Sequence, residues 1–210
     1  MIRAVLFDAV GTLIHPLPDA IQIYHHVAQR HGSSLTLSDI HERFRVAFHA
    51  DSRRDVAENF VTNSSIERTR WQQIVTQTLD DLRGPQLDAA FDELWHHFAL
   101  PASWQLDDDL IHVWRQLKQA GYLVGIASNF DERLETVCAG LTPLEQADRI
   151  FHSAQLGHRK PSPRFFAAIE RELDLQPHEL LLIGNDTTAD YDGARRAGWH
   201  AIKIAETERA

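Results

Sequence analysis

Short apolar runs recur along the chain, and each gives way to polar or turn-forming residues. Residues 4–7 lead to Asp8, Gly11 and Thr12; residues 123–127 lead to Ser128 and Asn129; residues 180–183 lead to Gly184, Asn185 and Asp186. A further run spans 200–204, and a weaker one 149–152. A strand covered on both faces reads this way, as continuous rather than alternating apolar character. Helical spacing lies between the runs. In 107–120 it sets Leu110, Ile111, Val113, Trp114 and Leu117 on one face, with Gly121 as a stop. In 163–173 it does the same for Phe165, Phe166 and Ile169, after a Ser162-Pro163 start. This alternation predicts an α/β fold, a doubly wound parallel sheet of five or so strands.

Residues 16–100 read differently, with no strand pattern and four helix-period segments at 20–31, 38–53, 65–82 and 86–98. The breaks fall at residues 32–34, 63–65 and 84–85, where turn-forming residues cluster. The expected organisation is an α/β core from residues 1–15 and 101–210, with 16–100 forming an all-helical cap.

Net charge narrows the partners. The chain carries a formal −9, and its most basic stretches, Arg53-Arg54 and His158-Arg159-Lys160, are too small for a polyanion groove. A small-molecule partner is expected, and neither nucleic acid nor membrane; oligomeric state is not readable. One cysteine, Cys138, permits no internal disulfide and no multi-cysteine metal site. No apolar run reaches the ~20 residues of a membrane span, and Asp8 interrupts any signal-like segment, so a reducing cytoplasm is the expected compartment. Adjacent histidines such as His25-His26 and His96-His97 point different ways on a helix, which disfavours a histidine metal site. Trp71 and Trp95 are the tryptophans that could line a pocket from the helical side, but nothing selects either.

In an open parallel sheet, functional groups collect at the carboxyl ends of the strands. Here those ends carry Asp8, Ser128-Asn129 and a cluster of Asn185, Asp186 and Asp190, while Lys160 precedes a helix. An acidic nucleophile, a hydroxyl and amide pair, a lysine and a second acidic group suit the handling of a phosphate or carboxylate. The segment from Phe7 to Leu13 (Phe-Asp-Ala-Val-Gly-Thr-Leu) resembles the first motif of the haloacid dehalogenase (HAD) superfamily. Ser128-Asn129 resembles the second, Lys160-Pro161 the third, and the segment 184–198 the fourth, in the family's order and with the helical insertion where its cap belongs.

The resemblance implies a Rossmannoid core and a hydrolase mechanism with Asp8 as nucleophile, forming a covalent aspartyl intermediate. It further implies that Lys160 offsets the charges of Asp8 and substrate, and that Thr12, Ser128 and Asn129 hold the transferring group. Mg²⁺ would bind Asp8, the backbone carbonyl of Val10 and a fourth-motif carboxylate. Asp186 is favoured over Asn185 for that last position, because a carboxylate suits a hard cation. Asp190 would orient Lys160 or reach the metal through water.

The motif departs from the phosphatase pattern at Val10, where an acid normally protonates the leaving group. Such assistance is typically worth ~10²–10⁴ in rate. His15 and His158 are the nearby groups that could replace it. Three readings therefore stay open: a Mg²⁺-dependent phosphohydrolase of reduced activity on a small, anionic substrate; a 2-haloacid dehalogenase-like hydrolase; or a non-catalytic binding protein. The second needs a cap arginine, for which Arg43, Arg45 and Arg53 are available. A carbon–phosphorus hydrolase would need a cap lysine, and residues 16–100 contain none.

Overall fold

The computed structural model describes residues 1–205. Strand β1 (Ala4–Phe7) leads through a tight turn to β2 (Ile14–Pro16). Four helices follow: α1 (Ala20–Arg30), α2 (Leu37–Ala57), α3 (Ser64–Thr78) and α4 (Gly84–His97). The chain then returns through β3 (Trp104–Leu106) to α5 (Asp108–Gln119), β4 (Leu123–Ser128), α6 (Arg133–Ala139), β5 (Arg149–His152), α7 (Ser153–Leu156) and α8 (Pro163–Leu173). It closes with β6 (Leu180–Gly184), a π-helical turn at Thr187–Asp192, α9 (Gly193–Arg196) and β7 (His200–Lys203).

Five strands form one parallel sheet in the order β5-β4-β1-β6-β7. Within β1 the period of two divides the side chains between two cores. Val5 and Phe7 pack with Ile111 and Trp114 on one face, whereas Ala4 and Leu6 pack with Phe165, Phe166 and Trp199 on the other. Helices thus cover both faces, as the doubly wound arrangement requires. Because β1 lies between β4 and β6, the ends bearing Asp8, Ser128 and Gly184 are neighbours: Phe7 pairs with Ile126 on one side and Ile183 on the other.

The inserted helices have an apolar core of their own, including Ile23, Val27, Ile40, Val75, Leu79 and Phe91. Their starts are set locally. Asp19 accepts from the Ile21 amide at 2.8 Å, Thr36 and Asp39 form a capping box, and Asn63 accepts from the Ile66 amide at 3.0 Å. Helix α3 stops at Thr78 rather than continuing to residue 82, although Leu79 and Leu82 beyond its end still pack into the core.

Two features escape the sequence pattern. The chain crossings into and out of the insertion pair as a short antiparallel ribbon, Ile14 with Leu106 and Pro16 with Trp104. The insertion is also joined to the sheet layer by backbone bonds: the Thr62 amide donates to the Gly157 carbonyl at 3.0 Å and the Arg159 amide to the Phe60 carbonyl at 2.8 Å. Among the described residues no helix is long and apolar enough to cross a membrane.

Candidate active site

The Asp8 amide donates to the Ile183 carbonyl at 2.8 Å, continuing the strand pairing one residue beyond β1. Beyond it the backbone curls tightly, with the Thr12 and Ile14 amides both returning to the Ala9 carbonyl. Gly11 makes this turn with φ of +81°, a left-handed value at which a side chain is strained. A Cβ there would also lie 2.6 Å from the Asn185 amide nitrogen.

Asp8 is buried, and its Oδ1 accepts from the Ser128 hydroxyl at 2.9 Å and from Lys160 Nζ at 2.7 Å. Lys160, only 3% exposed, also donates to Asp190 Oδ1 at 2.6 Å and to the Ala127 carbonyl at 2.8 Å. Asn129 fixes the lysine backbone from both sides: its Oδ1 accepts from the Lys160 amide at 2.7 Å, and its Nδ2 donates to the Lys160 carbonyl at 3.0 Å. Four sequence motifs that lie up to 182 residues apart, from Asp8 to Asp190, thus meet at one point.

Burial raises the Asp8 carboxyl to about 6, with Asp190 adding to the rise and Lys160 and Ser128 opposing it. The Lys160 ammonium is disfavoured by burial, but Asp190 and Asp8 outweigh this and raise its pKa above the usual lysine value.

Asn185 and Asp186 take separate roles. Thr12 donates to Asn185 Oδ1 at 3.3 Å, which seats this amide against the turn carrying Gly11. Asp186 caps the π-helical turn, where its Oδ1 accepts from the Thr188 and Ala189 amides, both at 2.7 Å. Asp190 Oδ2 accepts from the Asp186 amide at 3.0 Å, so both Asp190 oxygens are engaged. Among the described residues no three His, Cys, Asp or Glu side chains gather as a ready metal shell.

These groups form one end of a cavity of about 400 Å³ between the sheet edge and the inserted helices. Val10 lines it, whereas His15 and His158 do not. His15 Nε2 instead lies 3.6 Å from Asp107 Oδ2, and His158 Nε2 lies 3.4 Å from Arg164 Nη1. Partial burial and the Arg164 charge lower the His158 pKa. Arg43 pairs with Asp80 and Arg45 with Glu42, and neither they nor Arg53 line the cavity.

Three other arginines do: Arg70, Arg133 and Arg159. Arg133 is held by Asp131, which accepts from Nε and Nη2, each at 2.7 Å. Arg70 bonds Asp51 and Glu67, while Arg159 bonds Glu67 and lies 3.1 Å from Asp55. The pairing of Arg159 with Glu67 and Asp55 joins the sheet layer to the insertion. Sequence reading missed this group because charged residues on helices usually mark a solvated face. Only the position of Arg159 beside Lys160 hinted at it.

The haloacid dehalogenase-like hydrolase family model matches residues 2–198. Haloacid dehalogenase-like hydrolase domain-containing protein 3 of Homo sapiens is 30% identical over 97% of this chain and 82% of its own length. The ribulose-1,5-bisphosphate 5-phosphatase of Halopiger xanaduensis is 26% identical over 100% of this chain and 87% of its own. Among solved structures, the L-2-haloacid dehalogenase of Xanthobacter autotrophicus shares the fold with a TM-score of 0.72 at 20% identity, covering 100% of this chain and 80% of its own. With the four motifs assembled on the sheet edge and the family model spanning nearly the whole chain, the protein belongs to the haloacid dehalogenase-like hydrolases.

Proposed function

We propose that this hydrolase is a phosphohydrolase acting on a small anionic phosphoester, with Asp8 as nucleophile. The carrying observation is Lys160 Nζ set between Asp8 and Asp190 at the floor of the cavity. One ammonium offsets two carboxylates there and leaves Asp8 Oδ2 without a hydrogen bond among the described residues. Asp8 attacks phosphorus, and Lys160, Ser128 and Asn129 hold the transferring group against charge repulsion. Asp190 acts as a positioning residue for Lys160. The inserted helices serve as the cap, which excludes bulk water during transfer.

The donor set fits Mg²⁺, which commonly uses one or two carboxylates together with waters and substrate phosphate. Asp8, the backbone carbonyl of Val10 and the unbonded Oδ2 of Asp186 would hold it, with Asp190 already occupied by Lys160. Bound there, the ion would neutralise charge on the phosphoryl oxygens. Asn185, seated against the Gly11 turn, would support the loop rather than supply charge. The single, buried Cys138 thiol, raised to about 12 by burial, suits a reducing cytoplasm.

Phosphate release from a panel of phosphoesters, with and without Mg²⁺, tests the reading, alongside trapping of phosphorylated Asp8. Turnover that persists in Asp8→Asn would sink it. A dehalogenase-like reading is favoured by Val10 and the apolar cavity, but Arg43, Arg45 and Arg53 do not line that cavity, and the insertion arginine that does, Arg70, is bound by Asp51 and Glu67. Halide release from 2-haloacids without phosphate release from any ester would put it first.

A further inference from the structure

The two ends of the cavity differ chemically. Beyond the Asp8 end the lining is dominated by aromatic rings, among them Tyr24, Phe44, Phe91, Trp95, Phe98 and Trp104. Several are locked against one another: Phe91 and Trp95 centroids lie 5.8 Å apart, Tyr24 and Phe44 5.1 Å, and Phe98 and Trp104 5.8 Å. Among the described residues the cations at this end are Arg70, Arg133 and Arg159, and they are matched by four carboxylates: Asp51, Asp55, Glu67 and Asp131. A second phosphate would find no uncompensated charge there, and sugar hydroxyls would meet few hydrogen-bond partners.

Among the described residues the leaving-group side also lacks a carboxylic acid or imidazole that could serve as proton donor. Val10 stands in the lining where an acid would act, and His15 and His158 lie outside it. The ionisable side chain from the insertion other than arginine is Tyr24, whose phenol burial holds above its usual range despite Arg133. An aliphatic alcohol leaving as its alkoxide needs such a donor. A phenol, with a pKa near ~10 as in tyrosine, does not.

We infer, resting on the phosphohydrolase reading, that the preferred substrates are phosphomonoesters of phenols and fused-ring aromatic alcohols. Asp8 Oδ2 forms the bond to phosphorus, and the bond from phosphorus to the aryl oxygen breaks with its electron pair leaving on that oxygen. The aryl oxide then takes a proton from solvent. Water afterwards attacks the aspartyl phosphate, releasing inorganic phosphate to which its proton passes, and restores Asp8. The aromatic group of the substrate lies among the rings of the inserted helices.

The test compares kcat/KM with Mg²⁺ present for 2-naphthyl, phenyl and ring-substituted phenyl phosphates against glycerol 3-phosphate and ribose 5-phosphate. Methylphosphonate and 2-naphthylmethylphosphonate serve as inhibitors, because they report binding free of leaving-group reactivity. The aryl esters should exceed the aliphatic ones by about 100-fold or more, the scale of general-acid assistance. Across the phenyl series kcat/KM should fall steeply as the phenol pKa rises. The naphthyl inhibitor should bind about tenfold or more tightly than methylphosphonate, as expected for burial of an apolar group. In Val10→Asp the aliphatic esters should gain by about 10²-fold and the aryl esters by less than tenfold. Equal or better turnover of the aliphatic esters by the natural protein would overturn the aryl assignment while leaving the Asp8 mechanism standing. Equal binding of the two phosphonates would also overturn it. No turnover of any ester, with no phosphorylated Asp8, would remove the phosphohydrolase reading and the assignment together.

Discussion

The guanidinium carbon of Arg133 stands 3.5 Å from the ring centroid of Trp95, and Arg133 Nη1 donates to the Trp95 carbonyl at 3.2 Å. Arg133 belongs to α6 beside the sheet and Trp95 to α4 of the insertion, so one side chain joins the two layers across the cavity. Asp131 fixes its other edge. Lysine cannot reproduce both the planar stack and the two-pronged bond. Arg133→Lys should lower stability by roughly 1–3 kcal/mol and raise KM several-fold. Thermal unfolding and steady-state kinetics on the same preparation check this.

On the proposed mechanism Asp8 must be ionised to attack, and burial raises its carboxyl to about 6 when no metal is bound. kcat/KM should therefore fall about tenfold per pH unit below that point. The Ser128 hydroxyl bond lowers the Asp8 pKa, so Ser128→Ala should move this acid limb to higher pH. A pH profile of both proteins decides it, and an unmoved limb would assign the titration to another group.

The same shift has a signature in stability. The folded-state pKa of Asp8 lies above its ordinary 3.8, so the native state binds more protons between that value and about 6. Its contribution is present below pH 3.8 and is lost as the pH rises through about 6. Asp8→Asn should therefore have the higher Tm near pH 7.5, with the difference shrinking towards pH 4. Calorimetry across this range tests the sign.

Glu67, 1% exposed, accepts from Thr62 at 2.8 Å and from both Arg70 and Arg159. Glu67→Ala would leave the two guanidiniums short of a buried partner, a loss of roughly 3–5 kcal/mol. Burial raises the Glu67 pKa, but Arg159 and Arg70 outweigh it and hold the pKa below its ordinary value. The stabilisation is therefore present above pH 4.5 and is lost as the pH falls through that lowered value. Urea titrations at two pH values measure both effects.

Gly11→Ala joins two separable penalties, the positive φ and the approach to Asn185. Together they should cost about 1–3 kcal/mol and distort the loop behind Asp8. Removing the Asn185 side chain in the same protein should recover the steric part and leave the backbone part. Full recovery would show that φ is of no consequence.

The sheet and its functional edge were legible because buried parallel strands announce themselves as apolar runs that stop at chemistry, as 123–127 does at Ser128. The ribbon of β2 and β3 was not, since three-residue strands carry no measurable period. Nor was the π-helical turn that Asp186 caps and that carries Asp190. Asp8, Ser128, Asn129, Lys160 and Asp190 meet as a unit. The arginine and carboxylate group at 51, 55, 67, 70 and 159 depends on partners up to 104 residues apart, from Asp55 to Arg159, and becomes visible only when helices pack. Trp95 likewise acquires meaning only from Arg133 opposite.

The backbone bonds from Thr62 to Gly157 and from Arg159 to Phe60 lie far along the chain from the β2 and β3 ribbon. A helical layer hung from its two connecting strands alone could swing aside as a piece. This one is stitched along a second seam, so a swing that lifts it must tear a pair of hydrogen bonds and the ionic contacts beside them. Passage of molecules should therefore be governed by rotation of individual rings and by brief local rupture of that seam. The protein should give up its product slowly, and its turnover should respond to changes at Phe60 and Thr62 that touch no reacting atom.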